Sequence, residues 1–141
     1  GRSMVDGPTA AVDHELTEHN RALVRSFVET VLVDGRLERL PDYIGDDDYV
    51  EHNPHLADGA STLREVLESA DTDLRHIDYH RVHRVLAEGN FILCVSEGNY
   101  AGIHSAFYDL FRVSAGKLAE HWDTTEKIAP RSDWKNNNGK F

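Results

Sequence analysis

The chain has 141 residues, with 15 Lys and Arg against 25 Asp and Glu, a formal net charge of −10 and one cysteine. That length suits one domain, which buries roughly 70% of its unfolded surface and needs neither disulfides nor a structural metal. The acidic balance argues against non-specific binding to nucleic acid or anionic membranes, where a basic patch does most of the work. A lone Cys94 excludes an internal disulfide and CxxC motifs, which suits a reducing cytoplasm.

Residues 1–12 read as an expression scar (Gly1-Arg2-Ser3 before Met4) and an N-terminal extension, with no signal peptide expected. Leu16, Leu23, Val24, Phe27, Val28, Val31 and Leu32 then recur at helical spacing, with Asp13 or Thr17 as caps and Gly35 just past the end. A short second helix is expected over Leu37 to Ile44, interrupted by Pro41, and a brief strand over Tyr49 to Asn53, stopped by Pro54. Ser61 or Thr62 starts a third helix that puts Leu63, Val66, Leu67 and Ala70 on one face. From Leu74 the period changes to two, predicting strands at 75–88, 91–101, 104–114 and 117–128. Gly89-Asn90 and Ala115-Gly116 are turn signals, so neighbouring strands should be antiparallel.

Helices followed by an antiparallel meander define an α+β domain over residues 13–129. One sheet face takes the helices; the other needs solvent-tolerant residues or another subunit. The longest apolar run, Phe91 to Val95, is far below the roughly 20 residues that span a bilayer, and Cys94 within it reads as a small core residue. The polar tail 130–141 carries Trp134 and Phe141, two aromatics suited to docking on a partner subunit or, equally, a frayed end.

No phosphate loop, dinucleotide glycine fingerprint, HExxH or GxSxG motif is present, which leaves acid–base groups and histidines. His76, Asp78 and His80, with His83 nearby, alternate along one strand and could ligate a transition metal; alternation is also how a solvated sheet face looks, which is the favoured reading, and no metal is expected. His52 and His55 flank Asn53-Pro54 at a strand end. On the last strand Glu120, Trp122, Thr124 and Glu126 share one face and His121, Asp123 and Thr125 the other. On the strand before it, Phe107, Asp109, Phe111 and Val113 share a face. A two-residue turn at Ala115-Gly116 sets Asp109 opposite Trp122; a three-residue turn with a glycine bulge sets it opposite His121 and turns His121 and Asp123 inward instead. The first register gathers Phe107, Phe111 and Trp122 into one apolar wall and is the expectation. It carries Glu126 toward that wall, where poor solvation raises a carboxyl pKa toward the range of a general acid or base.

Asp48-Tyr49-Val50-Glu51-His52-Asn53-Pro54 resembles the DYVxHNP stretch of SnoaL-like polyketide cyclases. So do Phe107 to Val113, Gly116 to Asp123 and the tail Asn136 to Phe141, the last matching a subgroup described as SnoaL-like aldol-condensation enzymes. The resemblance covers residues 17–141. It implies a cone of the nuclear-transport-factor-2-like type, in which three helices and a curved sheet enclose a pocket, and a homodimer through the outer sheet face. It also implies ring closure by aldol condensation without metal or organic cofactor. The family's acid/base aspartate, four residues past the tryptophan, corresponds to Glu126, and its pocket histidine to His52; Thr124 stands where the cyclases carry a second histidine.

The expectation is therefore a cytoplasmic, cofactor-independent acid–base enzyme, of cyclase or isomerase type, acting on a small apolar carbonyl compound. Glu126 would abstract a proton, and His52 with Asp109 would bond the developing enolate oxygen. Trp122, Phe107, Phe111, Tyr49 and Thr124 would hold the substrate. The alternative is a non-catalytic ligand-binding homodimer of the same fold. Neither reading calls for nucleic acid or membrane.

Overall fold

The computed structural model describes residues 2–45, 48–68 and 77–141. Helix α1 (Thr17–Phe27) buries Asn20, Val24 and Phe27 and runs on into a π-helical segment, Val28–Val33. Widened turns of this kind are rare and occur often at functional sites. Here the bond from Asp34 N–H to Glu29 O closes the wide turn, and Gly35 at φ +71° ends it. Leu37–Asp42 forms a 3₁₀ turn containing Pro41. Strand β1 is two residues, Val50–Glu51, and α2 spans Ala60–Glu68. Ala70 of the expected third helix, and His76 of the alternating histidine strand, lie outside the described residues.

Four long strands follow: β2 (Ile77–Glu88), β3 (Phe91–Tyr100), β4 (Ile103–Ser114) and β5 (Lys117–Lys127). The sheet order is β1-β5-β4-β3-β2, antiparallel throughout except for β1, which runs parallel to β5. Gly89-Asn90 and Ala115-Gly116 are both two-residue hairpin turns, as their composition predicts. Ala101-Gly102 and Ala115-Gly116 put positive φ on both central residues, the turn whose twist matches that of the strands.

Extra residues curve the sheet. Strand β2 carries two, His80 and His83, and β5 carries Ala119, each left unpaired where the register shifts. A bulge bends its strand and increases the local twist, so three of them wrap the sheet around α1 and the π-helical segment. Gly98 permits the closest approach, since a Cβ there would stand 1.9 Å from the Asp78 carbonyl oxygen and 2.9 Å from the Phe107 ring. The core lies on the concave face, where Val24, Phe27, Val28 and Val31 pack on Ile92, Cys94, Phe111 and Val113. Cys94 is fully buried, as a small core residue should be.

The tail returns along the convex face. Phe141 stacks on His83 with ring centroids 4.3 Å apart, and Lys140 pairs with Glu126 at 2.7 Å. None of the described helices is long and apolar enough to cross a membrane.

Candidate active site

The bulge at Ala119 decides what faces inward. The hairpin begins in the two-residue register, with Ser114 opposite Lys117 and Val113 opposite Leu118. The extra residue then moves Arg112 opposite Glu120, Phe111 opposite His121 and Asp109 opposite Asp123. Neither register expected from sequence survives along the whole strand, although the inward pair of the bulged alternative, His121 and Asp123, is the one found. His121 and Asp123 join Phe107, Asp109 and Phe111 on the concave face, and Glu120, Trp122, Thr124 and Glu126 take the convex one.

His121 is the centre of the concave cluster. Its Nδ1–H donates to both oxygens of Glu51, at 2.9 and 3.0 Å, and its Nε2–H donates to Asp109 Oδ1 at 2.8 Å. Tyr79 donates its hydroxyl to the other Asp109 oxygen at 2.7 Å, and Tyr49 donates to Glu51 Oε2 at 3.2 Å. A five-residue chain results, phenol–carboxylate–imidazole–carboxylate–phenol. The Glu51 and Asp109 side chains are each 2% exposed. The Phe111 ring stacks on the imidazole at 4.6 Å. Burial opposes charge on His121, yet the hydrogen bonds and charges of Asp109 and Glu51 outweigh it and raise the imidazole pKa to about 10. The same carboxylates, after desolvation, hold the Tyr49 and Tyr79 phenols well above their ordinary range, so both stay protonated.

Asp123 sits at the mouth, open to solvent, and accepts a bond from Asn53 Nδ2 at 3.1 Å. Partial burial raises its carboxyl pKa; His121 and Asn53 lower it, and Asp109 and Glu51 push it up again. The cluster forms one wall of a cavity of about 550 Å³. Phe27, Val31, Leu56, Leu63 and Leu67 supply much of its apolar lining, and His55 also lines it. The π-helical segment contributes Val31, Leu32 and Val33 to this wall.

Asp109, His121 and Asp123 each bring one ligand-type atom within 4.8 Å of the others, a spacing that a metal ion can use. Both nitrogens of His121 already donate to carboxylates, so the trio presents no imidazole lone pair. The donor set fits proton chemistry better than coordination.

Asp109, Phe111 and Tyr49 line the cavity. Phe107 is buried on the same face but backs the Tyr79 ring at 4.5 Å. Glu126, expected as the base, is exposed on the convex face and paired with Lys140, where water keeps its carboxyl solvated. Thr124 is exposed on that face as well. His52 and Trp122 are corrected in the same way: they stack on each other at 4.6 Å outside the cavity, and His52 Nε2–H donates to Glu120. Arg112 donates to the other oxygen of Glu120 at 2.7 Å. His83, one of the strand histidines read as a metal alternative, donates to Glu97 at 2.7 Å, as does His104 at 2.6 Å.

Sequence reasoning passed over Glu51, Asn53 and Tyr79. A signal existed for the first two. Period-two alternation along 49–53 puts Tyr49, Glu51 and Asn53 on one face and His52 on the other, so Tyr49 and His52 could never have shared a pocket.

No protein-family profile matches the chain, and no curated protein sequence matches it. Solved structures do. A candidate ketosteroid isomerase from Kribbella flavida superposes with a TM-score of 0.69 at 16% identity, over 89% of this chain and 94% of that one. A candidate polyketide cyclase from Acidithiobacillus ferrooxidans gives 0.58 at 15%, over 76% and 87%. An NTF2-like protein of unknown function from Cytophaga hutchinsonii gives 0.57 at 16%, over 84% and 93%. Identities this low speak for architecture alone: the fold is the NTF2-like α+β cone.

Proposed function

We propose that this protein is a cofactor-independent acid–base enzyme acting on a small, largely apolar carbonyl compound, in the manner of the SnoaL-like cyclases that its sequence resembles; candidate polyketide cyclase and ketosteroid isomerase structures of the same fold support the reading. One observation carries the reading: a buried imidazolium fixed between two carboxylates stands beside a third carboxylate, Asp123, whose affinity for protons is raised and which opens on an apolar cavity. Groups of one type with environments that push them apart divide acid and base roles. Glu51 and Asp109 are each engaged by His121 and a tyrosine hydroxyl inside the protein. Asp123 is the group able to take a proton from carbon.

The step balances without a cofactor. Asp123 removes the α-proton, and the C–H electron pair becomes the enolate π-system. The negative charge leaves the carboxylate for the substrate oxygen, so the total charge of the cavity is unchanged. The Tyr49 and Tyr79 hydroxyls line the cavity. Each has one O–H, held by Glu51 or Asp109, so either would have to turn from its carboxylate to bond that oxygen. The His121 charge lowers the oxygen's energy through the field. Return of the proton to another carbon gives isomerisation, and attack of the enolate on a second carbonyl gives aldol ring closure.

The test needs no natural substrate. Cyclic ketones and 1,3-diketones incubated in D₂O with the protein should exchange α-hydrogen for deuterium, read by NMR. Asp123→Asn should cut that rate by about 10²–10⁴-fold while saturable binding persists. Exchange that survives in the variant removes Asp123 from the mechanism.

The competing reading is a pocket-bearing homodimer that binds without converting. Its favouring observation is that the phenols and both imidazole N–H groups already satisfy carboxylates inside the protein. Saturable binding with no exchange in the native chain would select it.

A further inference from the structure

The carboxylate at position 51 reaches His121 by an unusual route, the two-residue parallel pairing that places Glu51 beside His121 at the sheet edge. Its orientation is set from several sides. The Asn53 N–H donates to Oε1 at 3.0 Å, the Tyr49 hydroxyl bonds Oε2, and the Glu51 N–H is itself held by Asp58 Oδ1 at 2.9 Å. A carboxylate can only accept, so a histidine facing one on each nitrogen must keep both N–H bonds. Loss of either proton would aim a lone pair at an anion in a buried site.

We propose that Glu51 is a positioning residue that holds His121 as a double donor, so that the histidine supplies the fixed positive charge of the site and never acts as its base. The statement about catalysis rests on the acid–base reading above; the statement about the imidazole does not. The charged and titratable groups around His121 all bear on it. Tyr49 and Glu51 come from the β1 region, Asp109 from β4, Asp123 from its own strand, and Tyr79 from β2 through Asp109. Asp34 and His55 lie across the cavity. With Glu51 gone, Nδ1 loses its acceptor and the histidine becomes an ordinary candidate base with one carboxylate behind it.

The experiment is nitrogen-15 NMR of the histidines in the whole chain, with the His121 signals assigned by their loss in His121→Gln. The native protein should show both His121 nitrogens protonated from pH 5 to 9. Glu51→Gln should move the titration down by one unit or more, the effect of one close carboxylate, and Glu51→Asp, which keeps the charge, should restore most of it. The pH profile of α-hydrogen exchange should gain a limb at the new value in Glu51→Gln. A native His121 that titrates near 6.5, or a Glu51→Gln variant with unmoved titration, overturns the proposal. Should Glu51→Gln fail to fold, the native spectrum and Glu51→Asp still decide it. A shifted titration with no exchange in any variant upholds the role of Glu51 and defeats only the catalytic reading.

Discussion

Two histidine–carboxylate clusters share the β1–β5 edge of the sheet, one on each face, built from adjacent residues. On the concave face His121 is flanked by Glu51 and Asp109, one cation between two anions. On the convex face Glu120 is flanked by His52 and Arg112, one anion between two nitrogen donors. The convex cluster is electrically closed and roofed by the stack of His52 on Trp122 and by Phe91 at 5.9 Å from the same indole. The concave one carries an excess of negative charge and opens on a cavity. The same residue types therefore take opposite roles according to what surplus they leave and whether a ligand can meet it.

That contrast can be broken from either side. Beyond the loss of proton exchange in Asp123→Asn, the largest effect on stability should follow Glu120→Ala. Its carboxylate is 3% exposed and its removal strands Arg112 and His52, both about one-fifth exposed. Removing one member of a buried pair costs up to 3–5 kcal/mol; with partly wetted partners, about 2–4 kcal/mol is expected by urea denaturation. Exchange activity of the folded fraction should be retained, and a loss of activity at full stability would join the two clusters into one site.

The next effect is pH-dependent. His121 is held at about 10 in the folded chain, against about 6.5 unfolded. A raised folded value means that its contribution to stability is complete below about pH 6.5 and is lost as pH rises toward 10. Urea midpoints should accordingly fall between pH 6.5 and 10, by on the order of a few kcal/mol in stability, and His121→Gln should flatten the slope. A midpoint that climbs over this interval would contradict the double-donor arrangement.

The smallest effect belongs to the residue first expected to be the base. Glu126 is exposed and its pair with Lys140 is a surface contact, so Glu126→Gln should change stability by less than about 0.5 kcal/mol. It should also leave deuterium exchange as it was. A large loss of exchange would return that residue to the mechanism and sink the concave-face assignment.

Element types and order were legible because long periodic segments announce themselves. The spacing of Leu23, Val24, Phe27, Val28 and Val31 placed α1, and alternation with two-residue turns placed β2 to β5 within a residue or two. The shared face of Phe107, Asp109, Phe111 and Val113 was legible too. The candidate site was legible only in the alternative that turned His121 and Asp123 inward, because the single unpaired residue at position 119, which reverses every side chain after it, leaves no local signal. One clue was present: strict alternation would have driven Glu120 and Glu126 into the apolar layer, whereas the shifted register sets Glu120 beside Arg112. Cross-strand charge complementarity is a better guide to parity there than the pull of one tryptophan. Glu51 went unassigned for another reason. Its partner is reached through a parallel edge pairing that no local pattern encodes.

The unpaired alanine has a wider consequence. Upstream of it β5 keeps phase with the hairpin turn; downstream, the strand runs one step out of phase, and the step sorts its remaining side chains between hollow and exterior. Chain length at that point therefore acts as a sorting rule. Relatives that differ by one residue there would present a different chemistry to their ligands even with every other letter conserved, so gaps beside this hairpin carry as much information about activity as the identities around them.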